Sequence, residues 1–274
     1  MNILLIGANS AIATAVARVY ASDGHGLFLV GRDLAKLETL RDDLTVRGAG
    51  GVALVELDIT HTARHTEMIE RAQTALGGID LAIICHGVLP DQQICERDFT
   101  ALQASLGVNV ISTLSLLVEL GNYFEKQGTG SLAVITSVAG DRGRRSNYVY
   151  GASKAMISTF LEGLRGRLHD SGVNVIDLRP GLVDSPMTRE LKKGPLFSTP
   201  DRVARCIVKG IRKNRTTLYA PGYWRNPVLA ATAELREFHS VARLGTQRRP
   251  ASSMEHRFRF DLIDATPNPQ QCVY

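Results

Sequence analysis

Short apolar runs alternate with longer amphipathic stretches along most of the chain. Seven runs, most of them apolar on both faces as buried parallel strands are, cover residues 2–6, 27–30, 51–57, 81–85, 131–136, 173–178 and 216–220. Six stretches with helical periodicity separate them: residues 11–22, 33–47, 62–76, 98–124, 148–170 and 201–213. Such regular alternation predicts an α/β fold, a doubly wound parallel sheet of about seven strands with helices on both faces.

The periodicity also predicts the domain organisation. We expect a single domain over residues 1–235, because the alternation continues without a linker or an internal repeat. Glycine and prolines interrupt it at about 187–200, which is typical of a substrate loop. Over 236–274 the periodicity ends and charged residues accumulate, so this segment is predicted to be a peripheral or disordered tail.

Composition narrows the class of protein. The chain is 44% apolar and 22% charged, and no apolar run approaches the roughly 18 residues of a membrane span. The net charge of +5 suits anionic ligands such as nucleotide phosphates, and it leaves peripheral contact with an acidic membrane open. The sequence lacks a basic stripe interleaved with aromatic residues, so nothing in it indicates that the protein binds nucleic acid.

The ends of the chain and its cysteines predict a cytoplasmic protein. The N-terminus lacks the pattern of a secretory signal. The four cysteines are scattered and form no CxxC pair, which is typical of reduced thiols: Cys85, Cys95, Cys206 and Cys272. His61 and His65 have helical i, i+4 spacing, but without a third ligand we expect a solvated helix face and no metal site.

The loop after the first apolar run has the features of an anion site. Gly7 directly follows the run and a helix begins a few residues later, so backbone N–H groups and the helix dipole favour a phosphate. We assign the pyrophosphate of a dinucleotide to Gly7, Asn9, Ser10, Ala11 and Ile12. Ala11 and Ala13 replace two glycines of a Rossmann-type Gly-x-x-x-Gly-x-Gly loop, so an ordinary strand-to-helix turn stays open as the alternative.

The next two strand ends bear on the choice of cofactor. Arg32 can neutralise a ribose 2′-phosphate, whereas Asp33 is predicted to turn away as the N-cap of the following helix. NADPH is therefore favoured, and NADH stays open. After the third strand, Asp58 and Ile59 are assigned to the adenine. A capping role for Asp58 or Thr60 is the alternative.

A phenol and an ammonium share one helix face in the segment NYVYGASKA. Tyr150 and Lys154 are four residues apart, which places them about 5 to 6 Å apart on a helix. Together with Ser137 of VITSVAG and Asn109 of GVNV, this segment resembles the short-chain dehydrogenases and reductases over about residues 1–225. The resemblance implies a catalytic role for Ser137, Tyr150, Lys154 and Asn109.

The resemblance also implies how the cofactor is held and what reaction follows. Gly87, Pro180, Gly181 and Val183 match the family's contacts to the cofactor, together with Tyr150 and Lys154. The family's usual Asn-Asn-Ala-Gly reads ICHG here, and we favour a structural role for His86 over contact with substrate. The reaction is the reduction of a carbonyl to an alcohol, with a tyrosine as general acid or base.

A finer resemblance concerns the substrate. The segments DRGRRSNYVYGASKA, HGVLPDQ and RPGLVDSPMT are similar to the branch that includes the decaprenylphosphoryl keto-ribose reductase, one half of a two-protein epimerase. It implies a keto-sugar, phosphorylated or lipid-linked. Arg142, Arg144 and Arg145 in the loop before Tyr150 could grip a phosphate, with solvated loop cations as the alternative.

Assembly and a non-catalytic role are the remaining questions. Family members commonly pair through the two long helices, here 98–124 and 148–170, which implies a homodimer or homotetramer. The rival to an enzyme is a nucleotide-binding regulator or partner subunit of the same fold, motivated by Ala11 and the missing asparagines. The four matched catalytic residues argue for the enzyme.

Overall fold

Seven parallel strands form one sheet in the computed structural model, which describes residues 1–226. The strands are β1 Asn2–Ile6, β2 Gly26–Gly31, β3 Gly51–Glu56, β4 Leu81–Ile84, β5 Gly130–Ile135, β6 Val173–Pro180 and β7 Thr217–Ala220. Their spatial order is β3-β2-β1-β4-β5-β6-β7. The direction of chain progression reverses between β1 and β4, and this switch point opens a crevice at the carboxyl ends of the strands. The predicted fold is confirmed.

Helices cover both faces of the sheet. They are α1 Ala11–Ser22, α2 Leu34–Val46, α3 His65–Leu76, α4 Gln92–Cys95, α5 Phe99–Leu106, α6 Ser112–Gln127, α7 Tyr148–Leu168 and α8 Pro200–Arg212. Alternate residues of β1 supply two separate cores, because successive side chains of a strand point to opposite faces. Ile3 and Leu5 pack with α1, α2 and α8, whereas Leu4 and Ile6 pack with α3, α6 and α7.

The long helix predicted over 98–124 is interrupted. A π-helical turn, Gly107–Ile111, joins α5 to α6 and contains the buried Asn109. The helix then continues to Gln127 and ends at Gly128, which adopts the left-handed conformation at φ 73°. An inserted π turn shifts the helix face that follows it, so it fixes which residues of this stretch face the sheet.

Within residues 1–226, this same stretch, Phe99–Gln127, is the one helix long and apolar enough to cross a membrane. Length and composition alone give this result, and the core helix of a globular protein passes the same test. Leu116, Leu117 and Leu120 on its inner face are fully buried against the sheet. One face of the stretch therefore packs in the core, whereas Phe99, Ile111 and Val118 elsewhere on it are exposed.

His65 does not lie on a solvated helix face, so that expectation was wrong. The residue is fully buried, with Nδ1 2.9 Å from Ser115 Oγ and Nε2 3.0 Å from the Ile59 carbonyl oxygen. Both ring nitrogens are thus used in holding the loop after β3 against α6. No group of three or more His, Cys, Asp or Glu residues with metal-ligand geometry occurs in the part of the chain that the structure describes.

The remaining segments are loops and short turns. The predicted substrate loop contains a single 3-10 turn, Pro186–Thr188, and a parallel bridge between Val183 and Ser198. Thr199 caps α8 through its side chain. Among the described residues Cys85, Cys95 and Cys206 are free thiols. The tail predicted over 236–274 lies outside the described residues.

Candidate active site

A cavity of about 760 Å³ runs along the carboxyl ends of the strands. The loops that follow β1 to β6 contribute its walls, as the switch-point rule for doubly wound sheets requires. Every predicted cofactor residue lines it: Gly7, Asn9, Ser10, Ala11, Ile12, Arg32, Asp58, Ile59, Gly87, Tyr150, Lys154, Pro180, Gly181 and Val183. Ser137 also lines it, whereas Asn109 lies directly behind the wall.

The first loop presents a helix N-terminus to this cavity. Gly7 adopts φ +82°, and a Cβ there would lie 2.6 Å from the backbone nitrogen of His86, so only glycine fits. Ser10 caps α1 by accepting a hydrogen bond from Ala13 N at 3.2 Å. The first-turn N–H groups of a helix have no intrahelical acceptor, which leaves those of Ala11 and Ile12 for an anion. Ala13 is fully buried, so it serves helix packing.

Two cations border one end of the cavity. Arg32 and Lys36 both line it, and both are exposed at its mouth. Asp33 is the N-cap of α2, as predicted: its carboxylate accepts from Lys36 N at 3.1 Å and pairs with Lys36 Nζ at 2.7 Å. These hydrogen bonds from Lys36 hold the pKa of Asp33 below its usual value. Sequence reasoning missed Lys36, although its position three residues after an N-cap was the available signal.

Asp58 acts as a cap in the loop after β3. Its Oδ1 accepts hydrogen bonds from Thr60 N at 2.9 Å and from Thr60 Oγ1 at 2.8 Å, and these lower its pKa. The capping alternative is therefore the observed geometry. Asp58 and Ile59 still line the cavity near Arg32, so the assignment to adenine stays a prediction.

Ser137 and Tyr150 meet at the other end of the cavity. Ser137 lies two residues after the end of β5, and its Oγ accepts from Ala139 N at 3.1 Å, which leaves its own O–H to donate. Burial raises the pKa of Tyr150 to about 12, and the neighbouring Ser137 hydroxyl, as a donor toward the phenol oxygen, opposes the shift. The phenol is therefore protonated at neutral pH.

Lys154 lies one helical turn further along α7. The side chain is buried, and Nζ donates to the Ile135 carbonyl oxygen at 2.9 Å. Nζ is 5.7 Å from the centroid of the Tyr150 ring. Burial lowers the pKa of Lys154 to about 8, against the smaller raising effects of Cys85 and Asp177. Burial dominates the pKa of Tyr150, and Ser137, not Lys154, is the group that opposes the shift, so the expected stabilisation of a phenolate by this ammonium is not observed.

Asn109 ties the π turn to the loop after β4. Its Oδ1 accepts from Val88 N at 2.8 Å, and its Nδ2 donates to the Val88 carbonyl oxygen at 2.9 Å. A Cβ on Gly87 would lie 3.1 Å from Asn109 Oδ1 and 3.4 Å from Lys154 Nζ. The Gly87 loop, the π turn and Lys154 are therefore packed on one another.

His86 lines the cavity, and its ring is held by hydroxyls of the helix that follows the π turn. Its Nε2 lies 2.8 Å from Ser112 Oγ and 3.1 Å from Thr113 Oγ1. Those hydroxyls in turn donate to the backbone carbonyls of Val108 and Asn109 within the π turn. Burial lowers the pKa of His86 to about 3, so the ring is neutral. The contacts agree with the structural role favoured from the sequence.

The segment after β6 is shaped by a buried aromatic residue that sequence reasoning did not assign to the site. Trp224 is buried and lines the cavity. A Cβ on Gly181 would lie 2.0 Å from Trp224 Cε2, so the indole occupies the space that any larger residue would need. Pro180 and Val183 line the cavity on either side of Gly181.

The three arginines before α7 do not act together. Arg144 lines the cavity and is half-buried, whereas Arg142 and Arg145 are exposed and outside it. Asn147, the N-cap residue of α7, lines the same region. The structure thus places one guanidinium, not three, beside the substrate end.

A doubly wound parallel sheet with a serine, a tyrosine and a lysine at one end of its switch-point cavity defines a dinucleotide-dependent oxidoreductase. Comparison with known proteins places the chain in a family of this class. It belongs to the short chain dehydrogenases, whose family model matches residues 1–195. Members use NAD(P) and act on small carbonyl or alcohol substrates, and this chain is an NAD(P)-dependent oxidoreductase.

Relatives of the chain include an uncharacterized oxidoreductase of Mycobacterium tuberculosis, 33% identical over 86% of this chain and 94% of that protein. Among solved structures, a short-chain dehydrogenase from Sphingobium yanoikuyae in complex with NADPH matches with a TM-score of 0.73 at 21% identity. The match covers 92% of this chain and 99% of that one. A bulky-bulky ketone specific alcohol dehydrogenase from Comamonas testosteroni matches with a TM-score of 0.72, also at 21% identity, over 92% and 97% of the two chains. At this identity the structural likeness establishes the fold.

Proposed function

We propose that the protein is an NADPH-dependent carbonyl reductase. The observation that carries the proposal is the convergence of Ser137, Tyr150 and Lys154 at one end of the cavity, with the Tyr150 phenol protonated. A protonated phenol is a general acid, which is what the reduction of a carbonyl requires at its oxygen. When bound, the reduced nicotinamide supplies the hydride.

Each residue of this group has a separate role in the proposal. Tyr150 donates its proton to the carbonyl oxygen, and Ser137 donates a hydrogen bond to the same oxygen and so orients it. Lys154 is the buried cation beside the phenol, which favours proton release from Tyr150. Asn109 holds the π turn and the Gly87 loop against Lys154 through its two bonds to Val88.

The charges at the far end of the cavity support NADPH over NADH. Arg32 and Lys36 offer two cations to a ribose 2′-phosphate. An NADH site uses a free acidic side chain for the ribose hydroxyls, but the Asp33 carboxylate is engaged with the start of α2 and with Lys36. The relative from Sphingobium yanoikuyae was solved with NADPH.

The substrate is proposed to be a keto-sugar, phosphorylated or lipid-linked, as the finer sequence resemblance implies. Most side chains around the substrate end of the cavity are apolar, among them Leu89, Met187 and Leu191. Arg144 and Asn147 add polar groups there. This pairing suits an anionic or hydroxylated ketone with an apolar portion.

Replacing Arg144 by methionine is expected to raise KM for a phosphorylated ketone, such as dihydroxyacetone phosphate, by about 10-fold or more, because a charge-assisted hydrogen bond is lost. KM for an uncharged ketone such as dihydroxyacetone should stay within about two-fold. Arg142→Met is the matched control, since Arg142 is exposed outside the cavity. Equal effects of Arg144→Met on both ketones would contradict the role.

The rate of ketone reduction is expected to depend on pH through Lys154. Its pKa is lowered by burial to about 8, so the ammonium is present below that pH and is lost above it. The value of kcat/KM should be constant between about pH 6 and 7.5 and fall above about pH 8. A steady-state pH profile measures this, and a rate that still rises toward pH 10 would contradict the assignment.

Two measurements test the proposed function directly. Fluorescence titration with NADPH and NADH gives the cofactor preference. Turnover is then measured on ethyl pyruvate, cyclohexanone, acetophenone and dihydroxyacetone, followed by sugar ketones. Tighter binding of NADPH and turnover of at least one ketone are expected. Binding without turnover on any of these ketones would favour the nucleotide-binding regulator, and tighter binding of NADH would contradict the roles of Arg32 and Lys36.

The protein is also proposed to form a homodimer or homotetramer through α5, α6 and α7. Large apolar side chains on these helices and on the π turn between α5 and α6 are exposed, namely Phe99, Ile111, Val118, Tyr148 and Met156. Exposed apolar side chains of this kind suit a subunit interface. Light scattering should give a mass of two or four chains, and a mass of one chain would contradict the assembly.

We also propose that the protein is cytoplasmic and that it contacts the membrane peripherally when the substrate is lipid-linked.

A further inference from the structure

A buried carboxylate lies in β6, on the strand next to the one that leads to Ser137. Asp177 is 1% exposed, and a buried carboxylate is costly unless its oxygens are paired. Its Oδ1 accepts a hydrogen bond from the hydroxyl of Thr136, and its Oδ2 accepts one from Arg179 Nε at 2.7 Å. Because Thr136 immediately precedes Ser137, this carboxylate is tied to the backbone that carries the serine.

Arg179 extends the same network to the far side of Ser137. Its Nη1 donates to Asp141 Oδ1 at 2.7 Å and to the Tyr219 hydroxyl at 3.2 Å. Asp141 ends the 3-10 turn Val138–Asp141, which begins directly after Ser137. The guanidinium is 15% exposed, and its planar fork is suited to holding two carboxylates at once. One side chain therefore connects the buried Asp177 to the end of the serine turn.

The opposite side of this turn lies against the backbone of α7. A Cβ on Gly151 would lie 2.7 Å from the Ala139 carbonyl oxygen, and a Cβ on Gly140 would lie 2.9 Å from Ala155 N. Gly151 is adjacent to Tyr150 in the chain, and Ala155 is adjacent to Lys154. The turn thus contacts α7 beside both residues, and a shift of the turn changes the distance between Ser137 and Tyr150.

We propose that Arg179 and Asp141 form a clamp that positions the Ser137 turn against α7 and so keeps the Ser137 hydroxyl beside the Tyr150 phenol. The inference rests on the proposed function. Neither residue lines the cavity, so both are positioning residues that act through Ser137. A misplacement of a catalytic group by about 1 Å can cost about 100-fold in rate, so a clamp of this kind affects turnover more than binding.

Two substitutions release the clamp without leaving a buried charge unpaired. Asp141→Ala removes the outer carboxylate and its acceptor oxygens, and Arg179 stays paired with Asp177. Arg179→Lys keeps a cation beside Asp177, but a compact ammonium does not bridge two carboxylates as a guanidinium does. Arg167→Lys is the matched control. Arg167 lies on the exposed far part of α7 and pairs with Glu125 of α6.

The assay uses whichever of ethyl pyruvate, cyclohexanone, acetophenone and dihydroxyacetone the wild type reduces fastest. We expect kcat at saturating NADPH to fall about 10- to 100-fold in Asp141→Ala and in Arg179→Lys. Their dissociation constants for NADPH, their melting temperatures and the kcat of Arg167→Lys should stay near wild type. The double variant should lose no more than the worse single variant, because the two residues act as one unit.

Three results would overturn the clamp. A kcat within about two-fold of wild type in both variants would mean that the network only stabilises the fold. A parallel loss of NADPH affinity would mean that the effect is not confined to the Ser137 turn. A wild type without turnover on any ketone would contradict the proposed function, and the clamp with it.

Discussion

Tyr150→Phe is expected to lower kcat for ketone reduction by about 100- to 10,000-fold, the range that general acid catalysis contributes. The substitution removes only the hydroxyl, so the apolar packing of the ring on α7 is retained. The dissociation constant for NADPH should therefore stay within about two-fold of wild type. Steady-state kinetics and fluorescence titration on the same preparation measure the two quantities.

Tyr148→Phe is the control for this experiment. Tyr148 begins the same helix, is 43% exposed and lies outside the cavity, so its kcat should match that of wild type. A Tyr150→Phe enzyme that keeps more than about a tenth of the wild-type kcat would exclude the phenol as the proton donor.

The double substitution Arg32→Ala and Lys36→Ala is expected to weaken NADPH binding by about 100-fold. Each charge-assisted contact to a phosphate contributes about 1.5 kcal/mol or more, and each 1.4 kcal/mol is about 10-fold in affinity. NADH lacks the 2′-phosphate, so its dissociation constant should change by about two-fold at most.

The NADPH affinity of the wild type should also fall as salt is added, because both cations are exposed.

Arg41→Ala is the matched control for the cofactor experiment. Arg41 is a cation on the same helix, α2, and like Lys36 it pairs with a neighbouring carboxylate, but it does not line the cavity. We expect it to leave the affinity for both cofactors unchanged. If the double variant weakens NADPH and NADH equally, the two cations do not read the 2′-phosphate.

Most of the fold was predictable because it depends on periodicity. Each predicted strand overlaps an observed one, with ends shifted by two residues or fewer. Buried parallel strands are apolar on both faces, so they stand out from the amphipathic helices between them. The predicted site residues other than Asn109 also line one cavity, since the carboxyl ends of parallel strands necessarily meet at one edge of the sheet.

Features that depend on tertiary contacts were not predictable. The π turn around Asn109 is held by Val88, which lies 21 residues before Asn109 in the chain. It is also held by the hydroxyls of Ser112 and Thr113, which begin the next helix and contact His86. Trp224 reaches the cavity only through the packing of a distant turn on Gly181. His65 was misplaced because a sequence cannot reveal that a polar ring finds two buried partners.

The arginines before α7 illustrate the same limit. The sequence DRGRRSN offers three guanidiniums, and their spacing alone does not decide which of them faces a ligand. In the folded chain Arg144 lines the cavity, whereas Arg142 and Arg145 face solvent. Loop conformation, which carries little periodic signal, makes this selection.

The most direct test of the account is the transfer of hydrogen from the cofactor to the product. The enzyme is incubated with a ketone that it turns over and with NADPH deuterated at C4 of the nicotinamide, in each of the two stereoisomers separately. Mass spectrometry of the alcohol should find deuterium on the former carbonyl carbon with one stereoisomer and not with the other. Alcohol that carries no deuterium from either stereoisomer, or no alcohol at all from any ketone, would contradict an NADPH-dependent carbonyl reductase.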